Sequence, residues 1–206
     1  MVLLHCNRDT FNSDFDCVTS VVFNKYPNPY ATHILSTDVI DRHLDRRGDV
    51  LFTTRLIRKQ GRLPGWVQWI VGGVKISDSW MIEYSRVDRR RKVLTTYARN
   101  LDHTRVLKVE ERTTYEYLPD RRATSVHSEV TFTSGLNGIK HKIEALARAK
   151  FEESVKRSRE GMSLVMQKIE AAAERVAAIS VAQAQAQAQA QCQTQPPQPQ
   201  QSQELI

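Results

Sequence analysis

At 206 residues the chain is long enough to bury a core without disulfide or metal staples, and too short for much more than one domain and a tail. Hydrophobic residues at 40% and charged residues at 26% fit a folded domain, while 30 Lys+Arg against 23 Asp+Glu leave a net charge of +7, which favours anionic partners such as nucleic acid, phospholipid headgroups or acidic proteins. Cys6, Cys17 and Cys192 have no CxxC or Cys/His ligand spacing, so neither a metal site nor a disulfide framework is expected, and no stretch approaches the ~20 apolar residues that span a bilayer.

The opening MVLLHC has too few apolar residues for a signal-peptide core and lacks the Arg/Ser pattern of a transit peptide, so it reads as a strand of the fold. SDFDCVTSVVFNKY follows as a helix, with Ser13 as a candidate N-cap and Pro27 as its stop. Val18, Val21 and Val22 form its apolar stripe, and Lys25 lies seven, four and three positions further on, on the same face. A lysine there can bury its stem and lift its ammonium to water, or favour the helix dipole, with no ligand involved. It can equally mark a place where an anion is held.

Six extended segments come next: His33 to Leu44, Val50 to Lys59, Trp80 to Val87, Val93 to Leu101, Val106 to Tyr117 and Val126 to Phe132. The fifth places Leu107, Val109, Thr113, Tyr115 and Tyr117 on one face, interrupted by Glu111. In the second, alternation puts Arg55, Ile57 and Lys59 on one face and Leu56 and Arg58 on the other, so each face must accommodate a charge. The turns DRRGD, VDRRRK, LDHT and LPDRR separate neighbours by short connections, the mark of an antiparallel meander. Between the second and third strands lies GRLPGWVQWIVGGV, in which Trp66, Trp69 and Ile70 share one side of a short helix. It reads either as a plug over the core or as a hinged lid that meets a membrane interface through its tryptophans.

After GLNG a long helix is expected from Ile139 to about Ala177, with Gly161 as a candidate bend or break. Ile143, Ala147, Lys150, Ser154, Arg157 and Gly161 make one stripe, small and basic in its middle; beside it runs an apolar line through Leu146, Phe151, Val155 and Met162. Lys150 and Arg157 belong either to a polar-mouthed pocket or to a solvated face balanced by Glu152, Glu153 and Glu160. From Ser180 onward the Gln/Ala then Gln/Pro sequence has no Lys or Arg and nothing with which to build a core, which sets an expected folded domain at 1–179 and a disordered tail at 180–206. The fold class is therefore α+β: a curved antiparallel sheet of about seven strands, counting the first, roofed by a long C-terminal helix and able to enclose a cavity.

No P-loop, GxGxxG, GxSxG or HExxH is present, and the six histidines are scattered, so neither an enzyme nor a cofactor site is expected. DRRRK could contact nucleic-acid phosphates, but it occupies a hairpin tip and no strand alternates aromatic with basic residues as a stacking platform would. A lipid or small-anion pocket fits the pattern better.

MVLLH, FNKYPNPYATHILSTD, TTRLIRKQGRLPGWV, RNLDHTRVLKVEERTTYEY and AKFEESVKRSREGM, in this order from Met1 to about Ala172, resemble the PRELI-domain proteins, phospholipid shuttles of the mitochondrial intermembrane space, and most resemble the branch that carries phosphatidic acid. The resemblance implies a seven-stranded sheet around a lipid cavity, a long C-terminal helix as its roof, and a gating loop with a short helix. It implies a lid at Leu63, Pro64, Trp66, Val67, Trp69 and Ile70, and headgroup contacts at Lys25, His33, Lys59, Lys150 and Arg157. Lys25 stands where the family has an arginine, keeping the charge but not the bidentate fork; Ser154 stands where a close relative has an asparagine. The implied function is non-enzymatic transfer of phosphatidic acid between mitochondrial outer and inner membranes, with peripheral contact to anionic membranes. The implied protein partner is a small helper with paired CX9C motifs in a heterodimer. Another anionic cargo such as phosphatidylserine, or a basic nucleic-acid-binding domain, are the alternatives.

Overall fold

A computed structural model describes residues 3–61, 78–136 and 138–193. Seven strands form one sheet: β1 (Leu3–Phe11), β2 (Ile34–Leu44), β3 (Val50–Gln60), β4 (Asp78–Asp88), β5 (Val93–Asn100), β6 (Lys108–Leu118) and β7 (Ala123–Thr133). Their order is β1-β7-β6-β5-β4-β3-β2 and every neighbouring pair is antiparallel. From β2 to β7 the chain is a meander, as the short polar turns require. Side-chain capping closes these turns: the Asp45 carboxylate accepts from the N–H groups of Asp49 (2.8 Å) and Val50 (3.0 Å), and Asp88 accepts from Arg91 N–H (3.1 Å). Gly48, at φ 74°, takes the left-handed position of the β2–β3 turn.

β1 and β2 lie at opposite edges, so the segment joining them must cross the sheet. That segment is α1 (Phe15–Asn24) followed by a single 3-10 turn at Pro29–Ala31. Phe15, Val18, Val21 and Val22 are buried, confirming the apolar stripe, and α1 packs on β6 and β7. The N-cap is Asp14 rather than Ser13: its carboxylate accepts from Cys17 N–H at 2.7 Å, while Ser13 gives its carbonyl to the Thr124 hydroxyl at 3.0 Å. Lys25 is the C-cap, and the Tyr26–Pro27 peptide that follows is cis.

The long helix α2 runs over Lys140–Gln193. Two expectations change here. Gly161 neither breaks nor ends the helix; it is buried, because a Cβ there would meet the Asn28 side chain at 2.9–3.1 Å, so its smallness serves close packing. Nor does the helix stop near Ala177, since Ala and Gln are good helix formers and no glycine or proline interrupts the chain until Pro196. By contact density the chain divides into two units, Met1–Met166 and Gln167–Ile206; the first contains the sheet, α1 and the start of α2, and the second, over its described residues, is helical.

Within the first unit α2 is tied to the sheet by side chains. Phe151 meets the Phe132 ring edge to face (5.6 Å between centroids), Arg159 pairs with Asp9 at 2.6 Å, and the buried Glu144 carboxylate accepts from Ser134 N–H at 3.1 Å. Cys6 is exposed: alternation along β1 turns His5 inward and Cys6 outward. The segment holding the expected lid, Leu63, Pro64, Trp66, Val67, Trp69 and Ile70, lies outside the described residues.

Candidate functional site

The inward face of the sheet is not uniformly apolar. Thr53, Arg55 and Ile57 are buried on β3, and Glu83 and Ser85 on β4. Register makes Arg55 and Glu83 direct partners, and Arg55 Nε donates to Glu83 Oε1 at 2.8 Å, with Nη2 donating to the same oxygen. Arg55 Nη1 donates to the carbonyls of Val22 and Phe23, each at 3.3 Å. These are carbonyls of the last turn of α1, which lack partners within the helix. Arg55 therefore satisfies the helix end, favours its dipole and neutralises Glu83 together. Lys25, one residue beyond that end, is thereby aimed down at the sheet, with Nζ 4.0 Å from Glu83 Oε2.

Lys25 opens into an inner hollow of about 190 Å³, between the α1 end, the floor of β3 to β6 and α2. Lys25, His33, Lys59, Glu83, Glu111 and Ser154 all line it, together with Ile57, Ala98, Val126 and Met162. A second hollow of about 430 Å³ adjoins it, walled by Leu107, Phe132, Ile143, Leu146 and Ala147. The two share His33, Lys59, Met81, Val109, Phe151 and Ser154 as lining, so they adjoin, the inner one with charged groups on its floor and the larger one with a mainly greasy wall. The larger hollow alone lies within the ~300–1,000 Å³ typical of ligand pockets.

The expected headgroup residues are brought together in two tiers. Lys25, His33, Lys59 and Ser154 meet in the inner hollow; Lys59, His33 and Ser154 also line the larger one, where Lys150 and Arg157 stand at the rim with exposed side chains. Arg157 reaches Glu153 at 3.8 Å, so the solvated-face reading describes part of its surroundings too. Lys25 does not share the larger hollow with Lys150 and Arg157.

Electrostatics separates these groups. Burial opposes the charge on Lys25, but Tyr26, Glu83 and Tyr115 outweigh it and hold its pKa above the ordinary lysine value. For Lys59 burial prevails over the attraction of Glu111 and Asp102, and its pKa falls below the lysine range. Burial, then the charges of Lys59 and Arg157, lowers the pKa of His33, which favours the neutral imidazole. Burial raises Glu111, with Lys25 and Lys59 opposing, and pushes the Tyr115 phenol up to about 12. The arrangement suits a bound anion: charging the site without one is costly for Lys59 and His33, and an anion removes that cost.

Four residues acquire roles that sequence reasoning did not assign. Arg55 was visible as a charge that one strand face had to accommodate, and Glu111 as a break in an apolar face. Glu83 shares its face with Met81 and Ser85, and the opposite charge on the adjoining strand was a usable signal. Arg159 lines the inner hollow while paired with Asp9, a contact across α2 and β1 that no local pattern reveals.

A model of the PRELI-like family matches residues 16–172. Protein UPS1, mitochondrial, of Saccharomyces cerevisiae is 49% identical over 173 residues, covering 84% of this chain and 97% of the yeast protein. The ups1 homolog of Schizosaccharomyces pombe is 31% identical over 81% of this chain and 96% of its own length. Protein UPS2, mitochondrial, of Saccharomyces cerevisiae is 33% identical over 78% and 71%. A crystal structure of a Thermus thermophilus protein superposes with a TM-score of 0.54 at 12% identity, covering 81% of this chain and 99% of that one, a likeness of fold alone.

Proposed function

Because the chain belongs to the PRELI-like family, we propose that it is a non-enzymatic carrier that takes phosphatidic acid out of one membrane, encloses it and delivers it unchanged to another. The observation that supports this reading best is the pair of adjoining hollows, the inner one holding Lys25, the larger one walled by Leu107, Phe132 and Leu146, with Lys59 and Phe151 lining both. A phosphate monoester carries about 1.5 to 2 negative charges near neutral pH. Burying such a group costs several kcal/mol unless cations meet it, and the apolar wall offers the acyl chains a place away from water. Lys25, His33, Lys59 and Ser154 are the inner headgroup contacts in this reading, and Lys150 and Arg157 draw the lipid in at the rim.

The yeast relatives UPS1 and UPS2 are mitochondrial by name. We place this carrier in the mitochondrion too, in the intermembrane space between the outer and inner membranes, paired with a small helper protein bearing twin CX9C motifs. The net charge of +7 favours transient attachment to anionic membranes, at ~1 kcal/mol per basic residue near the surface.

The test has two parts. Mass spectrometry of an organic extract of the purified protein should find phosphatidic acid, chemically intact, and the protein should move it between liposomes. Lys25→Met and Lys59→Met should each slow that transfer by about 10-fold or more, as expected when one member of a buried charge contact is removed. An extract without phospholipid, combined with no transfer, would refute the carrier reading.

A further inference from the structure

One inward carboxylate, Glu111, takes no part in the Arg55–Glu83 pair or in the support of the α1 end. The floor of the inner hollow contains a row of register partners: Arg55 faces Glu83, Glu83 faces Ala98, and Ala98 faces Glu111. At the usual strand spacing the two carboxylate-bearing residues are about 10 Å apart, with only the methyl group of Ala98 between them. That small side chain leaves room above the row for a ligand group.

The two carboxylates are in different situations. Glu83 is fully engaged by Arg55 and reached by Lys25, and it completes the α1 support. Glu111 accepts a hydrogen bond from the Thr113 hydroxyl at 3.3 Å and lines the same hollow as Lys25 and Lys59, whose charges act on it. An anionic headgroup entering this hollow must compete with Glu111 for those two lysines.

We propose that Glu111 is the resident counter-ion of the headgroup site: it holds the field of Lys25 and Lys59 while the cavity is empty, competes with the phosphate for both, and so keeps lipid loading reversible. The proposal rests on the carrier reading and adds to it a reason why the cargo leaves. With Arg159 already paired to Asp9, the three inward cations Arg55, Lys25 and Lys59 facing Glu83 alone would retain a phosphate too well for a shuttle. With Glu111 present the loaded state contains a second negative group near the phosphate, and this repulsion raises the loaded state relative to the empty one. Burial already disposes Glu111 to take up a proton when the phosphate arrives, which limits the repulsion without removing it.

The test uses the full chain, loaded with phosphatidic acid from donor vesicles, and follows release of a fluorescent phosphatidic acid to acceptor vesicles. Glu111→Gln keeps the shape and removes the charge; release should slow by about 10-fold or more, the fraction of protein holding lipid should rise, and net transfer should fall. Glu111→Asp keeps the charge and should release at close to the wild-type rate. Melting curves check that each variant folds; if Glu111→Gln does not, Glu111→Met, apolar and of similar volume, takes its place with the same expected slowing. Unchanged or faster release in the uncharged variant, or slowed release in Glu111→Asp, overturns the proposal and leaves the carrier reading intact. If the wild-type chain takes up no phosphatidic acid, both are overturned.

Discussion

Arg55 shows how much of the site rests on one side chain. It is 2% exposed and joins three elements: β3, which carries it, β4 through Glu83, and the carbonyl end of α1. Replacing it by Met would leave the Glu83 carboxylate buried with only the more distant Lys25 and would strip the last α1 carbonyls of their donor. Breaking a buried pair from one side typically costs about 3–5 kcal/mol, because the remaining charge stays in the interior. Arg55→Met should therefore lower the denaturation midpoint sharply, and adding Glu83→Leu should recover much of the loss by removing the orphaned charge. A single variant that unfolds together with the wild type would show that the pair contributes little. The same residue shows the reach of sequence reading: alternation put Arg55 on one face with Ile57 and Lys59, but that this face is inward, and that Glu83, 28 positions away, is its partner, emerged only from the fold and its register.

Among the elements, α2 carries the clearest constraint. Its Gly161 faces Asn28, whose side chain donates to the Lys25 carbonyl and accepts from Tyr30 N–H at 2.8 Å. Held from both sides, Asn28 has little freedom to retreat from a methyl group at 2.9–3.1 Å. In an exposed helix, Gly to Ala would stabilise by about 1 kcal/mol. Here overpacking costs of ~1–3 kcal/mol exceed that gain, so Gly161→Ala should lower the midpoint and, by displacing the Lys25 backbone, weaken lipid retention. A raised midpoint would mean that the Asn28 contact gives way freely. A lone glycine in a helical pattern reads locally as a weak point, and only the packed 3-10 turn turns it into a point of close approach.

For the molecule as a whole, charge and length are unevenly distributed. All 30 Lys+Arg precede residue 180, and the segment from there to Ile206 contains a single acid, Glu204. The cavity residues all lie within Met1–Met166. Truncation after Ile179 should therefore leave both the melting midpoint and vesicle-to-vesicle transfer close to those of the full chain. A large loss of transfer would assign the Gln/Ala/Pro segment a part in membrane contact or cargo handling.

The sequence by itself determined the order of elements, the antiparallel meander, the apolar stripe of α1 with Lys25 on its face, and the sharing of one strand face by Arg55 and Lys59, because the periods of 2 and 3.6 residues are local rules set by backbone geometry. Tertiary structure decided which charges meet. Arg55 with Glu83, Arg159 with Asp9, Gly161 against Asn28, and Glu111 in one hollow with Lys25 all depend on register and packing between segments far apart in the chain. Periodicity tells which face a side chain takes; only the closed fold brings that face against another and removes the water that would otherwise screen the charges between them.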